Sequence, residues 1–361
     1  MGSRSRRSAA RRRTSPVIRA SSIAEMLGAL PVIFGFYPQE SLVVVVLEGP
    51  RQRVAASLRL DLPPVEHHDG VACQIADALR HQGAAAVLVV ACTGDAALAD
   101  PLVDACVDRL VMDGVDVVEA VRSDGNRYWS YRCRNPVCCP AEGTPYDPGA
   151  SSVLAQAVAE GIEVLPDRSA LAARLAAVRG VTREIMAAET SAAETEQVAI
   201  AGRASVDERL RVLAQVGAGR VKSLLSRAVA APGTSLSDAE VASLSVWCRN
   251  IIVRDVAWAQ ISRDNAAASF AVWAQVARRV VPPFEPAVLC LASFAAWLKG
   301  DGASAWCALE RVEAVEPGYS MMQLVRELLE RGISPVGWPQ LDEAEVWAAL
   351  PAPRPSEQRR R

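Results

Sequence analysis

The sequence predicts a mixed α/β domain at the N-terminal side, followed by an all-α domain. Between residues 41 and 133, short apolar β-branched runs alternate with amphipathic stretches, and Gly, Pro and Asp turn signals bound them. From residue 151 onward strand signals stop, and Ala-rich segments with helical spacing take over. With 361 residues and 51% apolar content, the chain has enough material to build a core in each part.

Residues 23–30 form a short helix, with Ser21 or Ser22 as its N-cap. Residues 41–47 are a buried strand, because the run is apolar on both faces. A tight connection leads to a second strand over 53–60, so the two form an antiparallel hairpin. A helix over 71–82 stops at Gly83, a buried strand covers 85–91, and an amphipathic helix covers 96–112 and ends at Asp113-Gly114. A strand over 115–121, the turn Ser123-Asp124-Gly125-Asn126 and an aromatic returning strand over 127–133 complete the series. The order is β-β-α-β-α-β-β. The two crossover helices predict a parallel core of the second, third and fourth strands, with the hairpin partners at its margins in a mixed sheet.

The composition divides the chain into a disordered basic tail (1–20), the α/β domain (21–150), a helical connector (151–200), a helical bundle (201–349) and a second tail (350–361). The helical segments include 182–215 and 237–260, each read as continuous. Over 285–331 the pattern fits one and a half tetratricopeptide-type repeats. Counted back from Pro317, Ser293 and Ala305 fall where small residues let paired helices approach, and Leu289 and Leu309 fall on large apolar positions. Any helical bundle also contains hairpins of this kind.

A net charge of −2 argues against a generally basic nucleic-acid-binding body, although the Arg-rich tails leave a weak electrostatic association open. The longest strongly apolar run, Leu42–Leu47, has six residues, far short of the ~20 that span a membrane. No secretory signal is evident, and the nine cysteines are scattered. A cytoplasmic location without a disulfide framework is therefore expected.

The densest chemistry lies at 127–147, which holds three cysteines, one Trp, three Tyr and three Pro. Cys133, Cys138 and Cys139 have C-x4-C-C spacing. Three readings apply: buried packing residues, a zinc site needing a fourth ligand from His67, His68, Glu142 or a distant cysteine, and a redox thiol pair. Alternation puts Arg127, Trp129, Tyr131 and Cys133 on one strand face. They would stack on and pair with a planar anion, or pack across the sheet. Residues 35–41, with Gly35, Tyr37 and Ser41, form a loop able to offer N–H groups to an anion, or an ordered turn into the first strand. Arg59 and Asp61 are a pair at a strand end, suited to orienting a ligand or to closing the sheet. Val253-Arg254-Asp255 would bury an ion pair between helices. Phosphate-loop, dinucleotide, HExxH and GxSxG signatures do not occur.

Four stretches in order resemble bacterial domain-of-unknown-function family 4192. They are Gly35-Phe36-Tyr37-Pro38 with Ser41-Leu42-Val43, Leu58-Arg59-Leu60-Asp61-Leu62-Pro63, residues 127–145, and Val253-Arg254-Asp255 with Ala296-Trp297-Leu298 and Gly300-Asp301-Gly302-Ala303. The resemblance spans 23–340. Tyr128-Trp129 stands where that family often has paired Trp. It implies that both halves belong to one unit in the cytoplasm, and it transfers no catalytic residue.

The leading expectation is a ligand- and partner-binding module. The helical half would bind a protein, and the α/β half would bind a small molecule or zinc at 127–147. The alternative is an enzyme whose pocket joins 35–41, Arg59/Asp61 and 127–139. Convergence of those segments would distinguish the two.

Overall fold

The structure, a computed structural model, describes residues 22–350 apart from 207 and 232. The two Arg-rich tails lie outside the described residues. The N-terminal half contains α1 (Ile23–Phe34), β1 (Ser41–Glu48), β2 (Arg53–Asp61), α2 (His68–His81), β3 (Ala86–Cys92), α3 (Ala96–Met112), β4 (Asp116–Ser123), β5 (Arg127–Ser130) and β6 (Thr144–Pro145). The helix predicted over 23–30 runs on through Pro31 and ends at Gly35, whose φ of +77° supplies the left-handed cap.

Six strands form one mixed sheet in the order β2-β1-β3-β4-β5-β6. Only β3 and β4 are parallel neighbours; β1 is antiparallel to both β2 and β3. The expected parallel core of the second, third and fourth strands is corrected on this point, because β1 sits between β2 and β3. Burial gives the reason. Ser41 through Leu47 are all buried, which only an interior strand with both faces covered can satisfy, whereas β2 is half-exposed along its length and takes the margin.

Side-chain alternation assigns two covers to the sheet. Leu42, Val44 and Val46, with Val87, Val89 and Ala91, pack under Ile75 and Leu79 of α2 and Leu102, Cys106 and Leu110 of α3. Val43, Val45, Leu88 and Val90 face the other way, toward Leu27 and Leu30 of α1.

The remaining chain is helical: α4 (Ser152–Ala159), α5 (Arg168–Ala173), α6 (Val181–Gly202), α7 (Arg209–Ala230), α8 (Asp238–Trp247), α9 (Ile251–Ala259), α10 (Ala266–Arg279), α11 (Glu285–Leu298), α12 (Gly302–Val315), α13 (Ser320–Glu330) and α14 (Glu343–Ala348). The segment predicted over 182–215 is broken between α6 and α7, and that over 237–260 between α8 and α9. At the second break Asn250 acts as an N-cap, its Oδ1 accepting from Ile252 N at 3.0 Å.

All fourteen residues of α11 are buried, so it is the axis of the helical core. It pairs with α12 through small residues, where Ser293 Oγ donates to the Ala305 carbonyl at 2.9 Å. Its buried Glu285 accepts from Arg311 Nη2 at 2.8 Å. Arg254 pairs with its neighbour Asp255 and donates to Tyr319 Oη at 3.1 Å, so the tie between elements runs to a tyrosine just before α13. Phe36, just before β1, is fully buried in this helical core and bridges Leu165 in parallel. Among the described residues, no helix is long and apolar enough to cross a membrane.

Gly217 of α7 shows how closely the helices approach: a Cβ there would lie 2.4 Å from Trp247 and 2.8 Å from Val253. Gly219, two residues on, faces open space. Gly217→Ala is expected to destabilise the fold by about 1–3 kcal/mol, and Gly219→Ala to stabilise it by roughly 0.5–1 kcal/mol. Urea denaturation midpoints of the two variants check this pair.

Candidate functional site

Between β5 and β6 the chain leaves the sheet at Ser130 and returns at Thr144, and the intervening loop carries Cys133, Cys138 and Cys139. Several contacts clamp it. Trp129 Nε1 donates to Ala141 O at 3.0 Å, and Arg127 Nη1 donates to Gly143 O at 2.8 Å and Glu142 O at 3.3 Å. Gly143, at φ +83°, lies so close to Trp129 that a Cβ would come within 2.5 Å of the indole. The Arg122 guanidinium lies 3.8 Å from the Trp129 ring centroid. Arg122 is buried and also donates to Gly94 O at 3.3 Å. Tyr131 Oη donates to Asp100 Oδ1 at 2.6 Å, and burial followed by this hydrogen bond pushes the phenol pKa up.

The loop then folds on itself. Ser130 Oγ donates to Glu119 Oε1 at 3.0 Å and accepts from Cys133 N at 3.0 Å. The Asn135 carbonyl accepts from Cys138 N at 3.2 Å and Cys139 N at 2.8 Å. These bonds bring the three thiols together at the surface, with Cys138 exposed and Cys133 and Cys139 half-buried, so the expectation of buried packing residues is not met. Their Sγ atoms lie within 4.8 Å of one another, and Cys133 and Cys138 Sγ are 3.1 Å apart. The cluster could hold a metal ion. Cys133 titrates below the usual thiol range because Cys138, then Cys139 and the Asn135 backbone, hydrogen-bond its thiolate. Donation to Cys133 raises Cys138 and pushes Cys139 up to about 12.

The expected strand alternation through Cys133 ends at Ser130, because β5 has only four residues. Arg127, Trp129 and Tyr131 are therefore engaged in holding the loop. Of the fourth ligands considered, His68 is buried at the start of α2 with Nε2 3.2 Å from Pro63 O, and neither histidine nor Glu142 joins the thiol group among the described residues.

The other expected site residues lie elsewhere. Ser41 accepts from Arg59 Nε at 2.9 Å, and Arg59 Nη2 is 2.6 Å from Asp61 Oδ1. Gly35 O accepts from Leu165 N, and Tyr37 N donates to Leu165 O, so these two backbone groups of the loop are already paired. The structure thus joins residues 35–41 to Arg59 and Asp61. It holds them apart from 127–139, because β3 and β4 intervene and the two groups project from opposite sheet faces.

Sequence reasoning missed Arg122, Asp100 and Glu119, which support the loop, and Glu40, whose carboxylate accepts from Thr93 Oγ1 at 2.8 Å. Arg122 and Glu119 carried a signal, since a charge inside a buried strand needs a partner.

The profile of a family described as Domain of unknown function (DUF4192) matches residues 24–336. Comparisons with curated proteins and with solved structures gave no match.

Gly143→Ala is expected to release the loop, since both the positive φ and the indole contact oppose a methyl group. Amide hydrogen exchange over 132–146 should accelerate by at least about tenfold, with β1 and β3 remaining protected.

Proposed function

Given that the chain belongs to the DUF4192 family, we propose that it is a non-enzymatic binding module whose α/β half holds a thiolate-coordinated metal at Cys133, Cys138 and Cys139. The observation that carries this reading is the convergence of three sulfurs in a loop clamped from outside by Trp129 and Arg127. Zinc is the ion favoured, since it accepts thiolates in tetrahedral geometry and its fourth position would be open to water or a partner's ligand. Thiolates also suit the reducing cytoplasm, where this module would work.

We take 21–150 as the metal-holding domain, 151–200 as its connector and 201–349 as a tetratricopeptide-like domain. Its α11–α12 hairpin, followed by α13, supports a protein-binding role. A small ligand at Arg59, Asp61 and Ser41 is a weaker element of the same reading. An enzymatic role joining that group to 127–139 loses its support, and contact with nucleic acid would fall to the two tails.

A second reading rests on the 3.1 Å approach of Cys133 and Cys138 Sγ. The pair would exchange with a partner disulfide, yielding one disulfide here and two thiols on the partner.

Protein purified anaerobically without a tag is expected to carry about one zinc per chain. Cys138→Ser or Cys139→Ser should lower zinc affinity at least about 100-fold. Absence of metal with nine titratable thiols would overturn the zinc reading; the redox reading then expects seven thiols after incubation with an oxidised dithiol, and nine retained there would overturn it as well.

Zinc must displace the protons held by Cys138 and Cys139, whose pKa values are raised. Affinity should therefore fall as pH drops through neutrality, with at least about two protons released per ion. Calorimetry in buffers of different ionisation enthalpy measures that release.

A further inference from the structure

The helical half carries a solvent-open pocket of about 410 Å³, built on elements other than those that carry the cysteine loop. That volume lies in the range of small-molecule sites. Phe294 and Leu298 of α11 line it, with Trp258 of α9 and Trp338 from the segment before α14. The rings form a connected set. Trp258 meets Phe294 edge-on at 5.2 Å, Phe294 meets Trp297 at 5.4 Å, and Trp297 meets Trp338 edge-on at 5.1 Å. Trp297 Nε1 donates to Ile333 O at 3.1 Å, and Gln340 Nε2 donates to Ala259 O at 2.6 Å. These two bonds fix the aromatic row and tie the 338–342 segment to the end of α9.

Three charged residues also line the cavity: Arg263, Asp342 and Glu345. Arg263 Nη1 is directed to the Leu298 carbonyl at 3.3 Å, and one Asp342 oxygen caps α14 by accepting from Ala344 N at 2.8 Å. Glu345 is exposed. Two carboxylates against one guanidinium leave the lining with a net negative charge. Aromatic faces are themselves electron-rich and attract cations that shed water readily. An anion is disfavoured by both features, and a neutral apolar molecule would have no use for the carboxylates.

We propose that this cavity is a binding site for a small organic cation of the quaternary ammonium class. Its methylated head would rest against Trp258, Phe294 and Trp338, with Asp342 and Glu345 supplying the counter-charge. The site is independent of the cysteine loop, so neither proposal depends on the other.

Choline and its neutral isostere 3,3-dimethylbutan-1-ol, which carries carbon in place of the charged nitrogen, test the idea by calorimetric titration of the full chain. Choline should bind at least about tenfold tighter than the alcohol. Glu345→Gln, on an exposed residue, should weaken choline and leave the alcohol unchanged. Trp258→Leu should abolish choline binding, while Trp338→Phe, which keeps a ring, should retain it. Equal affinity for the two ligands, or binding of neither to the unaltered chain, overturns the proposal.

Discussion

A helix that is apolar on every face cannot stand at a surface, and α11 imposes that condition on everything around it. Burial of all fourteen of its residues requires neighbours on every side, and α10, α12 and α13 are among those packed against it. The one acid at its start, Glu285, is tolerated because Arg311 answers it. The same guanidinium also donates to the carbonyls of Leu175 and of Ala277 at 2.7 Å. Arg311 thereby fastens α12 to the end of α10 and to the segment after α5. Phe36 carries the constraint into the α/β half, since its ring lies in the helical core while the chain beside it enters β1. The Gln82 amide, donating to Gly332 O at 2.8 Å, makes a second tie between the halves.

The cysteine loop depends on a different device. Three sulfurs close together on an irregular segment would ordinarily drift apart, because a loop has no ladder to hold it. Here the sheet margin supplies the rigidity. Trp129 contacts the Arg122 guanidinium and leaves no room for a side chain at 143, and its indole N–H anchors the returning chain at Ala141. A group fixed by its surroundings can present ligands at little entropic cost. Residues that the sequence offered as ligand contacts thus serve the site by positioning it.

The strands and crossover helices were legible because each depends on local signals: Leu42 to Leu47 is short, β-branched and bounded by Pro38 and Gly49, which marks a doubly covered strand, and the Asp113-Gly114 stop marks its helix end. Strand order was not legible, since the interior place of β1 follows from competition with β2 for burial, and that compares segments. Within the site, the density of Cys, Trp and Tyr identified the loop. The partners that make it a unit, Arg122, Asp100 and Glu119, lie up to several elements away in sequence, and spacing cannot reveal them. The helix break at Asn250 was hidden by continuous helical spacing, which a single capping side chain overrides, whereas α7 begins after Gly202 without a side-chain cap.

The pairing of β5 with β6 has a consequence for self-association. A strand margin with free amide groups recruits further strands, and native sheets suppress this with short edges and proline. Here the outermost strand is two residues long, and one of them, Pro145, opposite Arg127, has no amide hydrogen to offer. The loop that gathers the thiols therefore also terminates the sheet. Any event that detaches it would bare the outer side of β5 and turn a closed margin into a template for intermolecular β-pairing. Integrity of the loop and colloidal behaviour of the chain are in this way coupled.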